Sequence, residues 1–443
     1  MTRIFLFLAL IIAPLAQAAE VRVDAAKRFQ TITGWEATLD LSGTPARPGW
    51  GAFREELLDR AVQEMGITRV RLEVRAGAET RSGEPARFIA GGMSYKEYKP
   101  GYYRPTNDNS DPNKIDWSGF DFSELDWHVE HSVLPLKRRL EARGQRLFVN
   151  LMYVAFRREP YLHQQDPEEY AEFILAATLH LKNTWGITPD LWEAVLEPDN
   201  RRVKGPWSPQ HLANAIAAAS RRLKAAGFRP AFSAPSVANA GNALPYLQAI
   251  LRTPEAASVM REVSYHRYGG GKPRIVQAIA KEAGRHGLNT AMLEWWNARA
   301  NAQVLIEDLT IGNVSAWQGN ALSGHFSPYK GGALRLKPIN RVRRLIYANV
   351  PPGSVRIGAA AKGRGVMTVA FALPGGGQAV FVHAPRKTQV SLSGLKPGRA
   401  QLSFEGEGKG RARSITQEPV TVGPNAKMPV TIPGAGLLAL IIE

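Results

Sequence analysis

The sequence predicts an α/β fold, a (β/α)8 TIM barrel followed by a C-terminal antiparallel β-sandwich side domain, and three observations predict it. Between Thr33 and about Gly324, short apolar segments alternate with amphipathic stretches, the rhythm of a parallel sheet wrapped by helices. Eight such units fit this stretch, the number that closes a barrel. After Pro338 the hydrophobic period changes to two, broken by turns such as PGGG and KPG, which reads as antiparallel sheet.

Taken in order, MTRIFLFLALIIAPLAQAAE joins Arg3 to an apolar run too short to span a bilayer and an A-x-A site at Ala16 to Ala18. Residues 1–19 are therefore expected to be a cleaved secretory signal, which implies a periplasmic or secreted protein. No other stretch is apolar for long enough to cross a membrane. VRVDAAKRFQ alternates, so residues 20–33 are read as an extra strand of the later β-domain. The barrel is placed at 34–335, with strands QTITGWEAT, TRVRLEVR, RLFVNLMY, LWEAVLEP, AFSAPSV, EVSYHRYG, TAMLEWW and VSAWQGN. Between them run helices such as PEEYAEFILAATLHLKNTWG and SPQHLANAIAAASRRLKAAGF, opening on Pro or Ser and closing on Gly as helix ends prefer. The sandwich takes 336–443.

Composition removes several function classes. The 443 residues include no cysteine, so thiol nucleophiles, zinc-thiolate sites and disulfides are excluded, and stability must come from packing. The formal charge of +17 invites an anionic partner, but the basic residues (Lys137 to Arg143, Arg201 to Lys204, Arg335 to Arg344) are dispersed. They form no nucleic-acid module, so no nucleic acid is expected, and the charge mildly favours an acidic glycan. The cluster TNDNSDPNKID resembles a calcium loop only loosely, lacking its sixth-position glycine and twelfth-position glutamate, and reads as a polar loop above the barrel.

Barrel chemistry gathers at the carboxyl ends of the strands, so polar residues ending apolar strands are the candidates. Parity in TRVRLEVR turns Arg69, Arg71, Glu73 and Arg75 inward, where charges need partners. LWEAVLEP ends on Glu197 with Glu193 one layer deeper; TAMLEWW ends on Glu294 with Trp296 on its face. EVSYHRYG groups Ser264, His266 and Tyr268, and VSAWQGN presents Trp317. Two strand-end carboxylates flanked by Arg, His, Tyr and Trp are the parts of a retaining glycosidase, in which one acid protonates the leaving oxygen while the other attacks the anomeric carbon.

These residues carry a resemblance. The chain is similar to clan A glycoside hydrolases, and most similar to glycoside hydrolase family 30. The family's G-F-G is approximated by Gly34-Trp35-Glu36, its I-R-V by Thr68-Arg69-Val70, its N-E-P by Leu196-Glu197-Pro198 and its H-x-Y by His266-Arg267-Tyr268. Its strand-seven nucleophile matches Glu294, its strand-eight tryptophan Trp317. GHFSPY and NVPPGSVRIGA resemble the passage into its side domain. The resemblance implies Glu197 as acid/base, Glu294 as nucleophile, Tyr268 bonding that nucleophile, and Arg69 or Arg71 keeping it ionised while Glu197 is held protonated. Trp296, Trp317 and Tyr153 would stack on sugar rings, and His266 would bind substrate. No metal or cofactor is called for, and a monomer acting on a β-linked polysaccharide or oligosaccharide is expected.

Two departures bear on the substrate. The family has asparagine where this chain has Leu196, and Asn contacts the sugar 2-hydroxyl there; Asn150 or Asn200 takes that role, or the substrate differs at carbon 2, or catalysis is lost. Glu36 replaces a small residue, adding a carboxylate that could select a hydroxyl. Structural readings stand beside these: Arg69 and Arg71 serve equally well as a salt-bridge ladder with Glu73 and Glu193, and Trp35, Trp192 and Trp295 read as core. The rival function is an inactive carbohydrate-binding or envelope protein on the same fold.

Overall fold

The computed structural model describes residues 18–41, 43–47, 49–156, 161–200, 207–297, 299–328, 333–407, 415–425 and 427–443. The expected signal lies almost wholly outside them, as do Arg201 to Lys204. Eight parallel strands close a barrel: β2 (Gly34–Thr38), β3 (Arg69–Arg75), β4 (Phe148–Val154), β5 (Leu191–Glu193), β6 (Phe232–Asn239), β7 (Met260–Gly269), β8 (Asn289–Glu294) and β9 (Val314–Ala321). They are preceded by β1 (Ala19–Thr31), which joins a nine-stranded sheet of the second domain. β1 pairs antiparallel with Val355–Lys362 but parallel with Thr388–Ser393, so that sheet is antiparallel except at this junction.

Local chemistry explains the helix ends. Asp166 accepts the Glu168 amide at 2.8 Å ahead of Pro167, and Gly186 at φ 67° closes the helix Pro167–Trp185. Ser208 accepts the His211 amide at 3.1 Å ahead of Pro209–Ala225. Where β2 meets β3, a Cβ on Gly34 (φ 153°) would stand 3.0 Å from Thr68 Oγ1 and 3.1 Å from Arg69 Cβ, so only glycine lets the strands close there.

The outward strand faces build the main core. Val70, Leu72 and Val74 pack against the helices, and Trp35 stacks on Tyr347 with ring centroids 4.5 Å apart while its Nε1 donates to the Val350 carbonyl at 2.8 Å. A second core, including Val21, Val382, Leu392 and Leu440, lies on one face of the nine-stranded sheet. Its other face, with Phe371, Phe381 and Leu437, is continuous with the barrel core. Gln30 ties the domains: its amide donates to the Leu309 and Val314 carbonyls and its oxygen accepts from Arg356.

The barrel interior is charged rather than apolar. Arg69, fully buried, holds Glu262 through two bonds of 2.8 Å and also bonds Glu36. Gln318 donates to Glu36 at 3.0 Å, and Ser233 donates to Glu262 at 2.9 Å. Removing one member of such a buried set strands its partners' charges. Arg69→Met should therefore lower the unfolding free energy by about 3–5 kcal/mol in urea titrations, leaving two buried carboxylates without their cation; a loss under about 1 kcal/mol would show the clamp to be dispensable.

Candidate active site

Glu197 stands just beyond β5, whose regular pairing ends at Glu193 although the sequence reads as strand to Pro198. Backbone bonds nevertheless continue: the Leu196 amide donates to the Tyr153 carbonyl and the Glu197 amide to the Ser236 carbonyl, both at 3.0 Å. Four non-glycine residues among those described have positive φ, two of them asparagines, which tolerate it. The other two are Glu197 (φ 49°) and Ser236 (φ 52°). A left-handed non-glycine residue costs about 1–3 kcal/mol and is held only where the surroundings insist.

Glu294 ends β8 beside a slip in pairing: Tyr265 pairs with Met292, but the next residue of β7, His266, pairs with Glu294. Leu293 is the extra residue. The slip turns Glu294 to the inner side with His266, whereas strict alternation would put it with the outward Met292. Across the mouth, a carboxylate oxygen of Glu197, one of Glu294 and a ring nitrogen of His266 lie within 4.8 Å of one another.

The two glutamates have different neighbours. Arg71 bonds Glu294 directly and Tyr268 donates to it at 2.9 Å. Glu197 faces His266 Nδ1 at 3.0 Å and accepts from Asn200 at 2.5 Å. Burial pushes the Glu197 carboxyl up, but the hydrogen bond and charge of His266, with Asn200 and Arg71 behind, outweigh it and hold the group below the usual carboxylate range. That reverses the expectation that Glu197 sits where charge is disfavoured. Burial and the neighbouring Glu294 push the Tyr268 phenol up, so it is a hydrogen donor throughout the neutral range. The three gathered donor atoms are shared with a cation, Arg71, and with amide and phenol donors, which suits a proton and a sugar better than a metal ion.

Several expected contacts lie elsewhere. Glu36, Arg69 and Asn150 are fully buried below the mouth, with Asn150 bridging Glu193 at 2.8 Å and Glu36 at 3.3 Å, so none offers a surface to substrate. Arg71, not Arg69, reaches the nucleophile candidate. Tyr153 points outward into the core, bonding His163 at 2.9 Å. Trp317 is also core: its Nε1 bonds Asp308 of the outer helix Ala302–Thr310 at 2.8 Å, and the residue β9 turns inward is Gln318. Trp296 and Tyr268 do stand open beside Glu294, 45 % and 47 % exposed. Leu196 joins Met152, Val154, Tyr103 and Phe156 in an apolar wall next to Glu197, and Asn200 is engaged with the carboxylate itself. Sequence reasoning missed Glu262, which shares parity with Ser264 and His266 and could have been collected with them. It also missed Ser236 and Gln318; a pairing slip at Ser236 hides the first, since Pro235 pairs with Ser264 and Val237 with Tyr265.

No family model and no curated protein matches the chain. Solved structures do. A GH30 endoxylanase from Clostridium papyrosolvens superposes with TM-score 0.67 at 13 % identity, covering 96 % of this chain and 99 % of that one. An endo-β1,6-glucanase gives 0.63 at 14 % identity over 96 % and 94 % of the two chains. A conserved exported protein from Bacteroides fragilis gives 0.64 at 14 % identity over 95 % and 100 %. The chain thus has the fold of GH30-like clan A glycoside hydrolases, barrel and side domain together.

Because His266 is what offsets burial at Glu197, His266→Gln should move the Glu197 carboxyl up in a carbon-13 NMR pH titration, identified by its loss in Glu197→Gln. A downward or absent movement would mean that Asn200 and Arg71 suffice.

Proposed function

We propose that the protein is a secreted retaining β-glycosidase that cleaves a β-linked polysaccharide or glycoconjugate by double displacement. The observation that carries this is the pair of glutamates at the strand ends with one carboxylate oxygen of each within 4.8 Å of the other, one on an arginine and a tyrosine, the other on a histidine. Retaining glycosidases keep their carboxyl groups about 5–5.5 Å apart, whereas inverting ones need about 6.5–9.5 Å to admit a water.

Glu294, its charge balanced by Arg71, attacks the anomeric carbon. The C–O bond to the leaving group breaks with its electron pair on oxygen, which takes the Glu197 proton. Water then reacts at the same carbon, giving its proton to Glu197 and releasing Glu294. Trp296 offers an apolar ring face to the sugar's C–H face beside the nucleophile. The formal charge of +17 favours an acidic glycan. Export is supported by the signal-like sequence of residues 1–19, and no helix among the described residues is long and apolar enough to cross a membrane. The apolar wall around Leu196 favours, as the second reading, a binder that holds sugar without cutting it.

Glu294→Ala should lower kcat on an aryl β-glycoside by a factor on the order of 10^4 or more while the protein still folds, with a lowered unfolding temperature because buried Arg71 loses its partner. Glu197→Ala should spare substrates with good leaving groups and cost about 10^2–10^4-fold on others. Proton NMR of the first-formed sugar should show the β-anomer. Undiminished hydrolysis by Glu294→Ala would end the assignment, and retention of glycan by a wild type that releases nothing would establish the binder.

A further inference from the structure

Behind Glu197 a single file of hydrogen-bonding groups runs into the barrel. Glu197 Oε1 meets His266 Nδ1 at 3.0 Å, His266 Nε2 meets Ser236 Oγ at 3.1 Å, and Ser236 Oγ donates to Glu193 Oε1. Asn150 donates to the other oxygen of Glu193 at 2.8 Å. Glu193, Ser236, Asn150 and His266 are all buried, between zero and 1 % exposed. The file is built rather than incidental: among the described residues, Ser236 is one of the two left-handed ones that are neither glycine nor asparagine, and the pairing slip there is what turns its hydroxyl between Glu193 and the imidazole.

A serine has one hydrogen. If Ser236 gives it to Glu193, it can only accept from the imidazole, so His266 must carry its hydrogen at Nε2. Nδ1 is then the nitrogen that exchanges a proton with Glu197. Either a protonated Glu197 donates to a bare Nδ1, or an imidazolium Nδ1–H donates to the Glu197 carboxylate; the two forms differ by one proton position. Were Ser236 turned to donate to Nε2 instead, a neutral His266 would keep its hydrogen at Nδ1. Glu197 Oε1 could then only accept from the ring, and the two groups could not share a proton across that bond.

We propose that Glu193, acting through Ser236, fixes the tautomer of His266 and so lets Glu197 share with the imidazole the proton it donates. Glu193 and Ser236 are positioning residues; neither reaches the substrate. The inference rests on the reading of Glu197 as acid/base. It also explains why a group in a setting that favours its charge can serve as an acid: the proton belongs to the Glu197–His266 pair. The charged and titratable groups facing the file are Arg71 of β3 and Glu36 of β2, both acting on Glu193, Glu294 of β8, with an oxygen within 4.8 Å of Glu197 and the His266 ring, and Tyr268, whose ring stands 6.2 Å from that of His266. Arg71 also acts on Glu197 and bonds Glu294 across the mouth. Burial pushes the Glu193 carboxyl up and Arg71, Ser236 and His266 only partly offset this, but the Ser236 hydroxyl and the Asn150 amide both donate to its oxygens.

Nitrogen-15 NMR of the imidazoles, with His266 identified by its loss in His266→Asn, reads the tautomer directly. In the wild type above the pH at which the pair loses its shared proton, the hydrogen should sit at Nε2. Two variants cut the file from different places. Ser236→Gly removes the hydroxyl and suits φ 52°; Glu193→Gln offers an N–H where the carboxylate offered only lone pairs. In either one, the Glu197 carboxylate should draw the hydrogen to Nδ1, kcat should fall about tenfold or more with KM unchanged, and the alkaline limb of kcat/KM should move to lower pH. One folded variant is enough to decide. A wild-type ring protonated at Nδ1, or variants that keep Nε2–H, overturn the proposal, whereas a merely structural role would lower the melting temperature without changing the tautomer. If the tautomer switches but the wild type cleaves no β-glycoside, the wiring stands and the glycosidase reading falls.

Discussion

Two guanidinium groups on one strand hold this barrel together from inside. Arg69 and Arg71 point inward from β3, fully buried, and every carboxylate of the interior is arranged around them. Transferring each such ion from water costs several kcal/mol, which the chain recovers only through close, multiply bonded partners. Arg69 has three bonds to Glu36 and Glu262, and Arg71 meets Glu294 as well as the Leu293 carbonyl at 3.1 Å. The lower layer is thereby a clamp and the upper layer the proposed reaction site, on the same strand two residues apart. A side chain's depth along β3 decides which role it has.

The candidate site departs from regular geometry at both glutamates and at the serine behind them. Glu197 and Ser236 take left-handed backbone, and a pairing slip re-aims Glu294. All three distortions have one effect: each swings a side chain that simple alternation would misplace into the same small space. The strain at Glu197 and Ser236 is shared, since the amide of one donates to the carbonyl of the other at 3.0 Å. Such backbone persists because the charged interior beneath it offers no alternative set of partners.

This division also sets what could be read from the sequence. The eight strands, their order and the added strand at the amino end were legible, because period and turn chemistry are local and the strands are mostly regular. That Glu197, Glu294, His266 and Tyr268 would gather at one mouth was legible because polar residues at the ends of apolar strands have few other uses. Counting by twos failed at the slips. It turned Trp317 inward when its indole bonds Asp308 on the outer helices, and it passed over Gln318 and Ser236. It could not tell Arg69 from Arg71, since their difference is depth, and depth follows from barrel closure rather than from any local pattern. Glu36 looked like a substrate contact for the same reason; its partner Arg69 lies one strand over and below the mouth.

The sign of the interior charge connects the clamp to the chemistry. Apart from the pair of Glu73 with Arg75 at 2.6 Å, the interior sets Arg69 and Arg71 against Glu36, Glu193, Glu197, Glu262 and Glu294. Carboxylates outnumber guanidiniums, and in a space screened from water that excess favours keeping a proton. The clamp commits Glu36 and Glu262 to Arg69, and Arg71 is committed to Glu294, which leaves the file from Glu193 to Glu197 as the place where a proton is best kept. His266 and Ser236 make that file continuous, so the proton can be kept at its open end. On this account the proposed acid function of Glu197 does not come from a private apolar pocket around one carboxyl group; it follows from a barrel that buries more negative charge than it neutralises and has one bonded line along which the difference is made up.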